Sequence, residues 1–304
     1  MTNPNTTHIL YRQAQFPIFQ NRMYDSKTEA INCLRGDIEL VEDFHSGLVQ
    51  NAVFQPELMI YDAYYQNEQA TSTLFQAHLE EISDLIQLTM GCEKLVEVGC
   101  GKGYFLEKLL DQGVDVVGFD PTYEGNNPRV TREYFGPDLG MSGKGLILRH
   151  VLEHIFDPVA FLYQLAQANH WQGLVYIEVP CFDWICDNCA WFDVFYEHVN
   201  YFRLTDFKRM FGRIVYADRV FGGQYLAIVA DLATLRAPSI DNDDRCSFPN
   251  NFSITIPIKA QSNKTVVWGG ASKGVIFSLL CERAGFPVAT VIDINPAKQG
   301  KYLA

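Results

Sequence analysis

Between Glu97 and Gly103 the chain reads Glu-Val-Gly-Cys-Gly-Lys-Gly, directly after an apolar run and directly before a segment of helical spacing. Glycine is required where a backbone turns sharply and a ligand must approach the main chain without a Cβ in the way. The helix that follows offers free N–H groups and a positive dipole end, which suit a carboxylate or phosphate. The next strand ends in Asp120, where a carboxylate can accept both hydroxyl hydrogens of a ribose. Together these features predict a nucleoside ligand. Two further clusters carry titratable groups. His150 and His154 lie four apart, a spacing that suits either one helical face or a metal, but Glu153 sits between them with no third ligand in view, so no metal is expected. Tyr196, Glu197 and His198 are consecutive and flanked by aromatics able to exclude water, as a proton-abstraction step needs. The same three residues can equally be a Tyr and a His buried for packing and satisfied by hydrogen bonds.

Positioning these groups calls for an α/β architecture. Leu95 to Val98, Val114 to Phe119, Gly145 to Leu148 and Leu174 to Val179 are short apolar runs, with helical patterns such as Pro158 to Ala168 between them. Buried strands alternating with helices imply a parallel sheet covered on both faces. Ile214 to Val220 and Gln224 to Asp231 are expected to close it as an antiparallel hairpin. Ahead of the sheet, Ser72 is placed to cap a long amphipathic helix, and residues 1–70 read as a small irregular module with β-prone pieces at Asp37 to Val41 and Gly47 to Val53. The sheet domain spans 71–235, and 236–263, rich in Pro, Asn and Asp, reads as a linker. Residues 264–304 hold one βαβ unit: a strand at Thr265 to Trp268, a Gly-rich turn at Gly269 to Gly274, a helix, and a strand at Val288 to Ile292. A lone βαβ buries too little area to stand by itself, so it packs on the main domain or a partner, or the chain is shorter than the architecture it was built for, the reading favoured here.

Composition narrows the function. The 304 residues carry 24 basic and 36 acidic side chains, a formal charge of −12, which argues against a protein that coats nucleic-acid phosphates. With 48% hydrophobic and 20% charged residues the chain buries a large core. No long apolar stretch or signal-peptide pattern occurs, so no membrane association and a cytoplasmic location are expected. The eight cysteines are scattered, and most should be reduced thiols. Cys186 and Cys189 form a C-x-x-C without a second pair, read as ordinary loop packing.

The acidic-x-G-x-G-x-G form at Glu97 resembles class I methyltransferases that bind S-adenosyl-L-methionine; dinucleotide binding, or a tight turn with no ligand, is the competing reading. The resemblance implies a Rossmann-like sheet, with Glu97, Gly99, Cys100, Gly101, Gly103 and Asp120 at the cofactor, and Leu148, Arg149 and His150 beside the reactive methyl group. Over nearly the whole chain the sequence is similar to bacterial nucleotide-sugar C-methyltransferases. The matching segments are YDAYYQNEQ at 61–69, HVLEH at 150–154, YEHVNYF at 196–202, WGGASKG at 268–274 and DINPAKQGKY at 293–302. That family combines an N-terminal zinc module, a central methyltransferase domain and a C-terminal Rossmann-like domain that helps form the sugar-nucleotide pocket. By this resemblance His198 removes a proton next to a 4-keto group, Glu197 and Tyr196 orient it or hold the enolate, and Tyr65 or Tyr64 covers the cofactor or faces the substrate. An O- or N-methyltransferase of another small metabolite and a non-catalytic cofactor-binding homologue are the alternatives. The chain departs from the family in the N-terminal module, where only Cys33 precedes residue 92 and Asp43-Phe44-His45-Ser46-Gly47 stands in place of a Cys pair. No zinc is expected there. Oligomeric state is not legible.

Overall fold

In the computed structural model, which describes residues 6–59, 72–240, 244–252 and 265–304, the chain opens with an antiparallel sheet. Its strands are β1 (Thr7–Pro17), β2 (Arg35–Asp43) and β3 (Val49–Asn51), with the short helix α1 (Lys27–Ile31) between the first two. The sequence reading missed β1. Its side chains are mostly exposed or half-exposed, and its pairing with β2 slips twice, so no period-two apolar pattern marks it. Helix α2 (Thr73–Met90) starts at Ser72, whose hydroxyl accepts the Phe75 N–H at 3.4 Å. Tyr64 and Tyr65 lie outside the described residues.

The central sheet follows: β4 (Leu95–Val98), α3 (Tyr104–Asp111), β5 (Val116–Phe119), β6 (Val130–Thr131), β7 (Gly145–Arg149), α4 (Pro158–Ala168), β8 (Leu174–Pro180), α5 (Phe182–Asp187), β9 (Asn200–Tyr201), α6 (Leu204–Met210), β10 (Ile214–Val220) and β11 (Tyr225–Asp231). Seven of these strands form one sheet in the order β10-β11-β8-β7-β4-β5-β6. Strands β6, β5, β4, β7 and β8 run parallel, while β11 is antiparallel to both β8 and β10. This is the Rossmann-like α/β sheet expected from the sequence. Leu146, Leu148, Val175 and Ile177 face one apolar layer, and Ile147, Tyr176, Ala227 and Val229 the other. The chain order reverses around β4, which lies between β5 and β7, and such a switch point leaves a crevice at the carboxyl ends of the strands.

Strand β9 leaves this sheet and pairs with β3, placing Val49 opposite Tyr201 and Gln50 opposite Asn200. The Asn200 amide also donates to the carbonyls of Leu152 (3.1 Å) and Ile155 (2.6 Å). The segment carrying Glu197 and His198 is therefore held between the N-terminal module and the turn after β7.

The C-terminal unit contains β12 (Thr265–Trp268), α7 (Ser272–Arg283) and β13 (Val288–Ile292), its two strands parallel. It packs on the rest of the molecule. Ile276 and Leu280 join an apolar cluster with Phe16, Ile38, Phe182 and Trp191, and Phe277 stacks on Trp191 with centroids 5.4 Å apart. Residues 244–252 of the expected linker pack as well: Phe248 and Phe252 lie against Phe182 and Tyr11, and Cys246 N–H donates to Glu42 at 2.7 Å. Among the described residues no helix is long and apolar enough to cross a membrane.

Because Ile276 is fully buried, Ile276→Ala should destabilise the protein by roughly 2–5 kcal/mol. Val266→Ala, at a 48% exposed position, should stay within about 0.5 kcal/mol. Urea unfolding followed by Trp fluorescence makes the comparison; equal effects would mean that α7 is not part of the common core.

Candidate active site

The turn after β4 is built from left-handed glycines. Gly99 has φ 73°, and a Cβ there would stand 2.6 Å from Val151 Cγ2; Gly101 has φ 55°. This leaves the Gly101 N–H free to donate to Asp120 Oδ2 at 2.8 Å, while Asp120 Oδ1 accepts from the Thr122 N–H at 2.8 Å and its hydroxyl at 2.7 Å. Helix α3 starts at left-handed Gly103 with no side-chain cap, so its first N–H groups have no side-chain partner. Glu97, at the end of β4, is buried; desolvation pushes its carboxyl up to about 8 against the pull of Arg149, with Asp120 adding to the rise, and its Oε2 has no hydrogen-bond partner. The Arg149 guanidinium lies 4.4 Å over the Phe105 ring of α3. Glycine turn, Asp120, Glu97 and Arg149 thus meet at the switch-point crevice. Cys100 is buried against Gly118, and burial raises its thiol. Leu148 points into the core and takes no place at the crevice through its side chain.

Beneath the crevice lies a charged centre that the sequence reading passed over. Glu178 in β8 is fully buried and is approached by Arg149 Nη2 at 3.0 Å, His150 Nε2 at 2.9 Å and His78 Nε2 of α2 at 3.2 Å; the Tyr176 hydroxyl donates to it at 2.6 Å. Burial alone would raise this carboxyl, but Arg149 and the histidines hold it well below the usual range. His150 follows β7 with φ 52° and also reaches Glu153 Oε1 through Nδ1 at 3.2 Å. Burial opposes its charge, yet the two carboxylates carry its pKa up to about 9. A glutamate inside the apolar run Leu174 to Val179 was the available signal.

A cavity of about 300 Å³ opens beside these groups. One wall carries His150, Glu153, His154, Glu197 and His198; the other is the Gly-rich turn of the C-terminal unit with Lys273 and Lys298. His198 packs on the Phe195 ring, centroids 4.0 Å apart, and edge-on to His154 at 5.0 Å. Burial first, then the charges of His154, His150 and Lys273, lower its pKa well below the ordinary value, so the imidazole is neutral near pH 7. His154 Nδ1 donates to the Glu197 carbonyl at 2.8 Å. Lys273 reaches Asp193 at 2.8 Å and Gln224 at 2.6 Å.

Tyr196 corrects the sequence reading: it does not line this cavity. Its ring packs on Phe54 and its hydroxyl accepts the Gln55 N–H at 3.0 Å, so its side chain goes to the N-terminal module while Glu197 and His198 reach the cavity. The third ligand-type group missing beside His154 is supplied by His198, from a distant part of the chain, while His150 turns toward Glu178. A second depression, about 490 Å³ and lined by Lys208, Arg209, Arg236 and Asp244, holds none of these groups.

The strand order and the glycine turn define a class I methyltransferase fold. A family model described as a methyltransferase domain matches residues 61–214, half of the chain. The chain belongs to this family and is an S-adenosylmethionine-dependent methyltransferase. Among solved structures it is similar to an S-adenosylmethionine-dependent methyltransferase from Archaeoglobus fulgidus (18% identity, 56% of this chain and 99% of that one, TM-score 0.40). It is also similar to 1,6-didemethyltoxoflavin-N1-methyltransferase from Burkholderia thailandensis, solved with S-adenosylhomocysteine (12%, 66% and 96%, 0.39). The magnesium protoporphyrin IX methyltransferase of Synechocystis PCC 6803, likewise with S-adenosylhomocysteine, gives 14%, 54% and 89%, and 0.40. No curated protein matches the chain.

Glu178→Gln removes the charge that Arg149 and two histidines share, so it should cost roughly 3–5 kcal/mol of stability. Tyr176→Phe removes one hydrogen bond to a charged acceptor and should cost about 1.5–3 kcal/mol. Chemical unfolding ranks the two, and a Glu178 variant no worse than the Tyr176 variant would contradict the network.

Proposed function

We propose that this methyltransferase acts on carbon, methylating a nucleotide-linked 4-keto deoxysugar through an enolate. The observation that carries this reading is that a neutral, buried His198 and two lysines, Lys273 and Lys298, face one another across a single cavity. A sugar nucleotide needs both: a base at the sugar and cations at the diphosphate. The first turn of the twelve-residue helix α7, from Ser272, adds backbone N–H groups on the same side.

In this reading the cofactor lies in the crevice after β4, its ribose on Asp120 and its amino-acid tail on the glycine turn and Glu97. His150 and Arg149 border it, and the backbone after Leu148 shapes the wall near its methyl group. His198 takes the proton from the carbon next to the keto group. The enolate carbon attacks the sulfonium methyl in line, and S-adenosylhomocysteine leaves with the electron pair of the broken C–S bond. Position and exclusion of water supply much of the rate. Glu197, whose carbonyl fixes His154, helps to hold the sugar. Tyr65 is assigned to the cofactor or substrate side on sequence resemblance alone.

Incubation with a 4-keto nucleotide sugar in deuterated water tests the chemistry. Exchange at the neighbouring carbon should be seen, and His198→Ala should slow it by at least about 10²-fold while leaving S-adenosylhomocysteine binding intact. Methyl transfer to oxygen or nitrogen without exchange would overturn the carbon-acceptor reading.

Cofactor binding should depend on pH through Glu97. Its carboxyl titrates at about 8, so below that pH it carries a proton that the ammonium of the cofactor must displace. Between pH 7.5 and 6 the affinity for S-adenosylhomocysteine should fall by up to about tenfold per unit, with proton release on binding. Calorimetry in buffers of different ionisation enthalpy reads this, and Glu97→Gln should flatten the profile. A flat profile in the unaltered protein would remove Glu97 from the ammonium site.

A further inference from the structure

Glu153, His154 and His198 bring one carboxylate oxygen and two imidazole nitrogens within 4.8 Å of one another. Among the described residues this is the one cluster of three such groups. Two come from the 3-10 turn Leu152–His154 after β7, and the third from the segment that β9 pins against β3. The fold, not the sequence spacing, makes the set.

Three features of the cluster go beyond proximity. Glu153 is 1% exposed and His198 is 7% exposed, yet Glu153 Oε2 and His198 Nδ1 have no hydrogen-bond partner. Buried polar atoms in that condition need an explanation, because each pays its desolvation without compensation. The His154 ring is oriented by the bond from Nδ1 to the Glu197 carbonyl, which leaves its Nε2 lone pair free of the backbone. A ring held through its other nitrogen by a carbonyl is the usual arrangement of a metal-bound histidine. Glu153 is oriented in the same manner, since its Oε1 is held by His150 Nδ1 at 3.2 Å and its Oε2 is left over. Both oriented residues therefore have an outer partner already in place.

We propose that Glu153, His154 and His198 bind one divalent transition ion of the zinc type, with the remaining coordination position open to the 300 Å³ cavity. Two imidazoles and one carboxylate suit zinc or cobalt, whereas magnesium and calcium prefer all-oxygen sites. Three protein ligands with one open position also match zinc sites that admit a small molecule. The bound ion occupies a lone pair of His198. Resting on the base assigned to His198 above, the loaded protein is silent in proton abstraction and is reactivated when the ion is removed.

The test uses the full chain, freed of metal with a chelator and titrated with cobalt(II) as an optical probe. One equivalent should give visible d–d bands without the near-ultraviolet charge transfer of a thiolate ligand, which separates this site from the eight cysteines. Zinc should displace the cobalt. His154→Ala should weaken binding by at least about 10²-fold, and Glu153→Gln provides a second variant, each checked for folding by circular dichroism. Absent bands, thiolate bands, or binding indifferent to His154→Ala would overturn the site. Zinc should also abolish deuterium exchange, and a chelator should restore it. If cobalt binds through His154 but exchange is unaffected by zinc, the silencing fails and the base is not His198. If cobalt does not bind while His198→Ala still abolishes exchange, the metal site falls and the base stands.

Discussion

The passage of the chain out of β4 is the constraint on which the rest of the molecule depends. The backbone must turn past Val151 on one side and reach Asp120 on the other, and no side chain fits at Gly99. The left-handed residues satisfy that geometry and release the Gly101 N–H to the Asp120 carboxylate at 2.8 Å, which adds to the Gly99 N–H bond on the Phe119 carbonyl in joining the ends of β4 and β5. The start of α3 is thereby aimed into the same crevice. A parallel sheet with its order reversing at β4 supplies the space.

Around this crevice the protein keeps several charges out of water by making them share. Glu178 stays ionised because Arg149, His150 and His78 converge on it, and His150 stays protonated because Glu178 and Glu153 flank it. His198, a few residues of wall away, has cations and apolar rings for neighbours and is neutral. Environments that drive two imidazoles in opposite directions are how one cavity comes to hold both a charged group and a free base. The appended parts have a function here too. The N-terminal sheet fixes the Glu197–His198 segment through β3, and the C-terminal unit brings Lys273 and Lys298 to the opposite wall.

Local signals were enough for most of the central sheet and for the first strand of the C-terminal unit. The apolar runs at Leu95–Val98 and Thr265–Trp268 and the amphipathic stretch Pro158–Ala168 each carry their own period, and they occur as elements with the same bounds. Strand β1 was invisible because it buries few side chains and slips in register. Tyr196 was grouped with His198 by adjacency, but an irregular turn sends neighbouring side chains to different places, here to Gln55 rather than the cavity. The meeting of His198 with Glu153 and His154 depends on non-local pairing through β9, which no spacing rule encodes. Glu178 and Lys273 did leave marks, a charge in a buried strand and a charge in a glycine turn. Those marks become meaningful only when the partners are known.

The central claim is that the crevice between β4, β5 and α3 holds the cofactor, and crystals grown with S-adenosylhomocysteine test it most directly. The account predicts the ribose hydroxyls on Asp120, the amino-acid tail over Gly99 to Gly103 with its ammonium at Glu97, and the sulfur facing the cavity of His198. Density for the nucleoside elsewhere, or a crevice that stays empty at saturating ligand, would contradict it.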